Sequence, residues 1–194
     1  MQTVAPTSEK ATHRSTVAAV AIAVAVGVVA ALAKRYLDFS LGIPGHAGVG
    51  WIAVLITGRL VNGRPGMATV AGLSMGLSSA WVGLDHSIAY NTTLYGMAGV
   101  LLDSGVMLKL PLRRFWGAMA AGVIVHLAKF GFIFANAWMA DVIRRVEIYG
   151  FLRSLGNHIV FGAAGGLLGW AMWRTGGQIR LWLFRRGFDR AQPW

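Results

Sequence analysis

Lys129 stands inside an apolar stretch, Phe115 to Ala140, whose other strongly polar members are His126 and Asn136. An ammonium group at membrane depth costs several kcal/mol unless it is paired or faces water, so such a residue marks a functional site by default. Lys129 lies about ten residues from the end of the stretch, roughly 15 Å at 1.5 Å per residue, which is near the middle of a bilayer. On a helix, His126, Lys129 and Asn136 fall broadly on one face, with Asn136 nearer the mouth. Two chemistries suit that face. It can hold an anionic or strongly hydrogen-bonding ligand, or Lys129 can pair internally, for instance with Asp103, and serve only helix association.

The remaining polar groups collect in the links between apolar stretches. His46, Asp85, His86, Tyr90, Asn91, Arg144, Arg145, Asn157 and His158 all fall on the side toward which Asn136 points. Together with Lys129 and Asn136 they make a candidate pocket for a polar small molecule, the ligand sitting beneath loops that close over it. Taken singly, each is equally a solvated loop residue, and Tyr90 and Tyr149 suit interfacial anchors. No HExxH, H-x-x-x-H or carboxylate-histidine cluster appears beyond Asp85-His86, so neither a metal nor a haem is expected, and no other cofactor. Gly72-Leu73-Ser74-Met75-Gly76 has the G-x-S-x-G form of a nucleophile elbow, but it sits within an apolar helix rather than at a strand-to-helix turn. An intramembrane serine hydrolase would need a histidine facing Ser74, and His126 is the one histidine deep enough to serve.

Positioning such residues falls to elements with an unusual composition. Of 194 residues 56% are hydrophobic and 13% charged, with 26 glycines. A soluble domain carries about 25% charged residues, so much of this surface faces something other than water. The formal charge of +11 is spread in short clusters between apolar runs, which suits loops at an anionic membrane surface rather than a nucleic-acid patch. With no cysteine, disulfides, thiolate metal sites and cysteine nucleophiles are excluded. Six apolar segments follow one another: Thr16–Ala33, Ala47–Val61, Met67–Leu84, Leu94–Leu108, Phe115–Ala140 and Leu155–Trp173. They predict an all-α, polytopic six-helix membrane bundle over 16–174, between a polar tail at 1–15 and a basic amphipathic tail at 175–194 that suits an interfacial anchor or a partner contact. The first segment also reads as the core of a cleavable leader. Gly42-Ile43-Pro44-Gly45-His46 cannot continue a helix, and irregular backbone beside a short span hints at a binding site.

Charge sets the orientation. Of the 18 lysines and arginines, twelve fall on the side of the N-terminus, five on the other and Lys129 within a span, which places both termini in the cytoplasm. Small residues set the packing, because helices in lipid gain little from hydrophobicity and associate through close backbone approach. The first segment offers Ala19-x-x-x-Ala23 and Ala21-x-x-x-Ala25; the sixth offers Gly162-x-x-x-Gly166 and Gly165-x-x-x-Gly169.

The six segments, the cytoplasmic termini, the Ala-x-x-x-Ala first helix and the loop Leu41-Gly42-Ile43-Pro44-Gly45-His46-Ala47-Gly48 leading into Trp51-Ile52-Ala53 resemble, over almost the whole chain, an S component of an energy-coupling factor (ECF) transporter. That resemblance implies a non-catalytic, substrate-capturing subunit of a vitamin or micronutrient importer in the bacterial plasma membrane. It implies as partners a small-molecule substrate, a transmembrane coupling subunit docked on Ala19, Ala21, Ala23 and Ala25, and two cytoplasmic ATPases. It also implies a lid and pocket drawn from the loop around His46, the Asp85 to Asn91 loop and the Arg144 to Asn157 region. The chain lacks the Met-His start of the cobalt and nickel type, and it has no GxxxxGK[ST] loop, so ATP hydrolysis would rest with partners. The competing reading is a structural or assembly subunit of a larger membrane complex, in which Lys129 and His126 are internal glue.

Overall fold

The computed structural model describes residues 7–37, 43–84, 86–139 and 148–189, with side chains described for 16–37, 43–84, 86–139 and 150–178. Among them are six α-helices and no strand: α1 (Thr7–Tyr36), α2 (Gly48–Val61), α3 (Met67–Ser78), α4 (Ile88–Met107), α5 (Phe115–Met139) and α6 (Ile148–Asp189). Two stretches, Thr16–Tyr36 of α1 and Phe115–Met139, are long and apolar enough to cross a membrane. The apolar helices α2 and α3 have 14 and 12 residues. At about 1.5 Å per residue neither covers a hydrocarbon core of about 30 Å alone.

Successive helices run in opposite directions. The Asn62 amide at the end of α2 donates to the Ala19 carbonyl near the start of α1 at 2.7 Å, and Arg64 donates to Thr16 at 2.9 Å. At the end of the helix pair α5–α6, the Trp170 indole donates to the Arg113 carbonyl just before α5 at 2.9 Å. The N-terminal ends of α1, α3 and α5 thus share one end of the bundle, called lower here. The last turn of α1, the α3–α4 link and the first turns of α4 meet at the upper end. Helix α2 lies at the centre, touching all five others. It supplies Trp51, Ile52, Leu55 and Ile56, which are essentially fully buried.

Glycine makes the closest helix contacts. A Cβ on Gly122 would run into the Gly162 carbonyl, and one on Gly166 into that of Ala118, so α5 and α6 meet backbone to backbone. The other stripe of α6, Gly165 and Gly169, faces Ile52, Ala53 and Ile56 of α2, so the two G-x-x-x-G pairs pack against two different helices. Gly72 and Gly76 of α3 press on the α4 backbone at Tyr95 and Thr92 in the same manner.

Several helix boundaries differ from those expected, α1 among them, which runs from Thr7 to Tyr36 rather than from Thr16 to Ala33. Helix α3 stops at Ser78 rather than Leu84, because the carbonyls of Ser78 and Ser79 take up the N–H groups of Trp81, Val82 and Leu84 in turns that pass through Gly83 at φ +67°. Helix α4 starts at Ile88 rather than Leu94, since the Ser87 hydroxyl caps it by accepting from the Tyr90 N–H at 3.2 Å. Helix α6 starts before Leu155 and continues unbroken to Asp189, into the region read as a separate tail.

Candidate binding cavity

At the upper end a cavity of about 260 Å³ opens between α1, α4 and α5. Its polar lining comes from Lys34 and Arg35 in the last turn of α1, His86 in the α3–α4 link, Tyr90, Asn91 and Tyr95 of α4, and Lys129 of α5. The early start of α4 puts Tyr90, Asn91, Leu94 and Tyr95 at i, i+1, i+4 and i+5, on one face. Lys129 and Ile133, spaced i and i+4, line the opposite wall.

Two of the lining residues, Tyr95 and Lys129, rest on a buried aromatic ring. Trp51 is fully buried and meets Tyr95 edge to face at 5.3 Å between centroids. The Lys129 ammonium lies 5.6 Å from the centroid of the Trp51 ring, within range for a cation–π contact. Above them His86, with φ +75°, stacks on Tyr90 at 4.6 Å, and Tyr90 in turn leans on Phe132 at 5.1 Å. A histidine at positive φ is unusual, and this one lines the cavity with its ring on Tyr90.

One turn from Lys129, His126 is fully buried. Its Nδ1–H donates to the His158 carbonyl at 3.0 Å, and His158 donates from Nδ1 to the Ser154 carbonyl at 2.8 Å. The two rings are 4.6 Å apart. His126 Nε2 has no hydrogen-bond partner, as is true of the buried Trp51 Nε1. The turn 44–47 rests on this pair: a Cβ on Gly45, at φ +91°, would stand 3.3 Å from the His158 ring, and Gly48 leaves room for the His126 imidazole.

Of the ten expected ligand-binding residues, the cavity gathers Lys129, His86, Tyr90 and Asn91. His158 belongs to the histidine pair, and His46 turns back to the Ile43 carbonyl and Phe161. Asn136 is half-buried and donates to the Phe132 carbonyl of its own helix at 2.7 Å, while Asn157 is half-buried on α6; neither lines the cavity. Asp85 and Arg144, with Arg145, lie outside the described residues. Lys34, Arg35 and Tyr95 are additions, with Trp51 buried behind Tyr95 and Lys129. Lys34 and Arg35 read from sequence as loop charges, but α1 runs on to Tyr36 and carries them to the cavity.

Two further expectations meet different partners. Asp103 pairs with Arg59 at 2.9 Å rather than with Lys129, and its second oxygen accepts from the Thr69 N–H and hydroxyl, each at 2.9 Å. The Ser74 hydroxyl donates to the Val24 carbonyl at 3.0 Å, and the flanking glycines pack on α4, so the G-x-S-x-G string acts here in helix packing. The four alanines of the expected docking face divide. Ala19 and Ala23 are buried against the bundle, while Ala21 and Ala25 are exposed, as positions two apart on a helix must be.

No protein family, curated protein or solved structure matches this chain.

Proposed function

We propose that the chain is the substrate-capturing membrane subunit of an importer of the energy-coupling factor kind, holding a small anionic molecule in the upper cavity. The observation that carries this reading is the convergence of Lys34, Arg35 and Lys129, from two separate helices, on one cavity also lined by Tyr90, Tyr95, Asn91 and His86. Three cations in one cavity focus the field on an incoming anion, and a guanidinium supplies the fork that a carboxylate or phosphate fits. The cavity lies near the lower limit of about 300 Å³ usual for ligand pockets, which favours a compact ligand.

In this reading all six helices cross the bilayer, with both termini in the cytoplasm and the cavity facing out. The distribution of lysine and arginine supports that orientation. Short helices such as α2 and α3 are accommodated by local thinning and by the longer neighbours that flank them. Capture is non-catalytic: the ligand binds tightly in one conformation and is released inward when a coupling subunit and its ATPases favour another. A reading as a structural subunit of a larger complex draws on one observation, the apolar outer face of α1 from Val17 to Leu32.

Native mass spectrometry of the protein purified from its source membrane, with small-molecule analysis of what is released, separates the two. A stoichiometric anionic metabolite supports capture, and its loss in Lys129→Met places it in the cavity. Copurification with a large assembly and no metabolite overturns capture.

A further inference from the structure

A second concavity, of about 380 Å³, lies at the lower end, where α2 and α4 end and the link to α5 begins. It is two-part. Leu60, Val106, Leu110 and Leu112 make one apolar half, and Arg113 and Arg114 rim the other. Arg59 forms the back wall, but it pairs with Asp103 at 2.9 Å and donates to the Asn62 carbonyl at 3.1 Å, so the uncompensated positive charge is that of the rim. Among the described lining residues there is no carboxylate.

The rim sits in a layer of aromatic rings. The Arg114 guanidinium lies 5.9 Å from the centroid of Trp116, Phe115 packs edge-on against Trp170 at 6.2 Å, and Arg174 covers the Trp170 ring at 5.2 Å. Half-exposed aromatic rings interleaved with arginines are the composition of a membrane–water interface. The Trp170 indole anchors the Arg113 backbone at 2.9 Å, leaving the Arg113 side chain outside that bond.

We propose that this groove binds an anionic phospholipid, its phosphate held by Arg113 and Arg114 and an acyl chain laid along Leu60, Val106, Leu110 and Leu112. The inference rests on the membrane orientation proposed above, which puts this end at the cytoplasmic leaflet, where basic pockets between helices meet anionic headgroups. Arginine forks match phosphate oxygens in pairs. The apolar half distinguishes a lipid from free phosphate, which would gain nothing from it.

The test uses the full chain in detergent, incubated with equal amounts of phosphatidylglycerol and phosphatidylcholine of identical acyl chains, with retained lipid read by native mass spectrometry. One phosphatidylglycerol should be retained in preference. Arg113→Gln with Arg114→Gln should weaken that retention about twenty-five-fold, each basic residue being worth about fivefold at an anionic surface. Lysine at both positions should restore the preference, and Lys129→Met should leave it unchanged. Equal retention of the two lipids, full retention by the glutamine variant, or displacement of the lipid by millimolar inorganic phosphate overturns the site. A chain that stays monodisperse without detergent removes the membrane reading itself; a detergent-dependent chain without lipid preference removes only this groove.

Discussion

The Arg59 guanidinium meets the Asp103 carboxylate at 2.9 Å, with both side chains more than nine-tenths buried, and this pair ties α2 to α4 near the lower end of the bundle. Thr69 adds two hydrogen bonds from α3 to the same carboxylate. Breaking one partner of such a pair leaves a buried, uncompensated charge, which costs about 3–5 kcal/mol. Asp103→Ala should therefore lower the thermal midpoint in detergent sharply, and Arg59→Met with Asp103→Leu should recover much of the loss. Equal midpoints for Asp103→Ala and the unmodified chain would show that the pair contributes nothing.

Lys129 and Asn136 share a helix but differ in what they face. Lys129 lines the cavity, whereas the Asn136 amide is engaged by its own helix. A charge-assisted hydrogen bond is worth about 1.5–3 kcal/mol. On the proposed capture function, Lys129→Met should raise the Kd of the anionic ligand by about tenfold to a hundredfold, and Asn136→Ala should leave it within about twofold, as befits a residue whose bond is made inside its helix. Titration calorimetry on both variants is the check, and the reverse ranking would move the site toward the end of α5.

Arg35 predicts a different kind of dependence. If the captured group is a carboxylate or phosphate, Arg35→Lys should keep the charge yet bind more weakly, because the ammonium lacks the planar fork. Equal affinity would make Arg35 a general source of positive potential rather than a direct ligand.

The buried and exposed alanines of α1 separate folding from docking. Ala23→Trp inserts an indole where the structure has no room and should prevent folding, seen as loss of a monodisperse detergent peak. Ala21→Trp points away from the bundle, so it should fold normally and, on the proposed function, abolish only the association with a coupling subunit. Normal assembly of Ala21→Trp in pull-downs would remove the outer face of α1 as the interface.

Glycines of α5 divide in the same way. Gly122→Leu should separate α5 from α6, since a Cβ there already meets the Gly162 carbonyl. Gly131 has open space around it, so Gly131→Ala should be neutral or stabilise by up to about 1 kcal/mol through helix propensity alone. Thermal unfolding of the two variants measures both effects.

The number and order of the helices were legible because each apolar run is closed by glycine, proline or charge, as at Asn62-Gly63-Arg64-Pro65. That helix six packs through its glycines was legible too, but not that Gly162 and Gly166 meet α5 while Gly165 and Gly169 meet α2, because positions three apart fall broadly on one helical face. Polar residues misled at the boundaries. Tyr90, Asn91, Thr92 and Thr93 lower the hydropathy of α4, yet they are helical because Ser87 caps them and the cavity takes Tyr90 and Asn91. Half of the cavity was hidden for a related reason: the end of a helix is set by capping and tertiary contact, so no hydropathy window shows that α1 carries Lys34 and Arg35 inward. Asp103 was recognised as needing a partner, but the choice between Lys129 and Arg59 depends on which end of the bundle α4 presents it to. Tyr95 and Asp103 are two turns apart, about 12 Å along the axis, so a carboxylate at Asp103 belongs to the opposite end from the Lys129 cavity.

The backbone-to-backbone seam at Gly122, Gly162 and Gly166 has an entropic side. A contact made by leucine or methionine must immobilise rotatable side chains, at up to about 2 kcal/mol for the longest of them. Glycine has no rotamers to lose, and once the helices exist their backbones are already ordered. Docking α6 on α5 therefore freezes little that was moving, and dispersion between closely matched backbones adds to the gain.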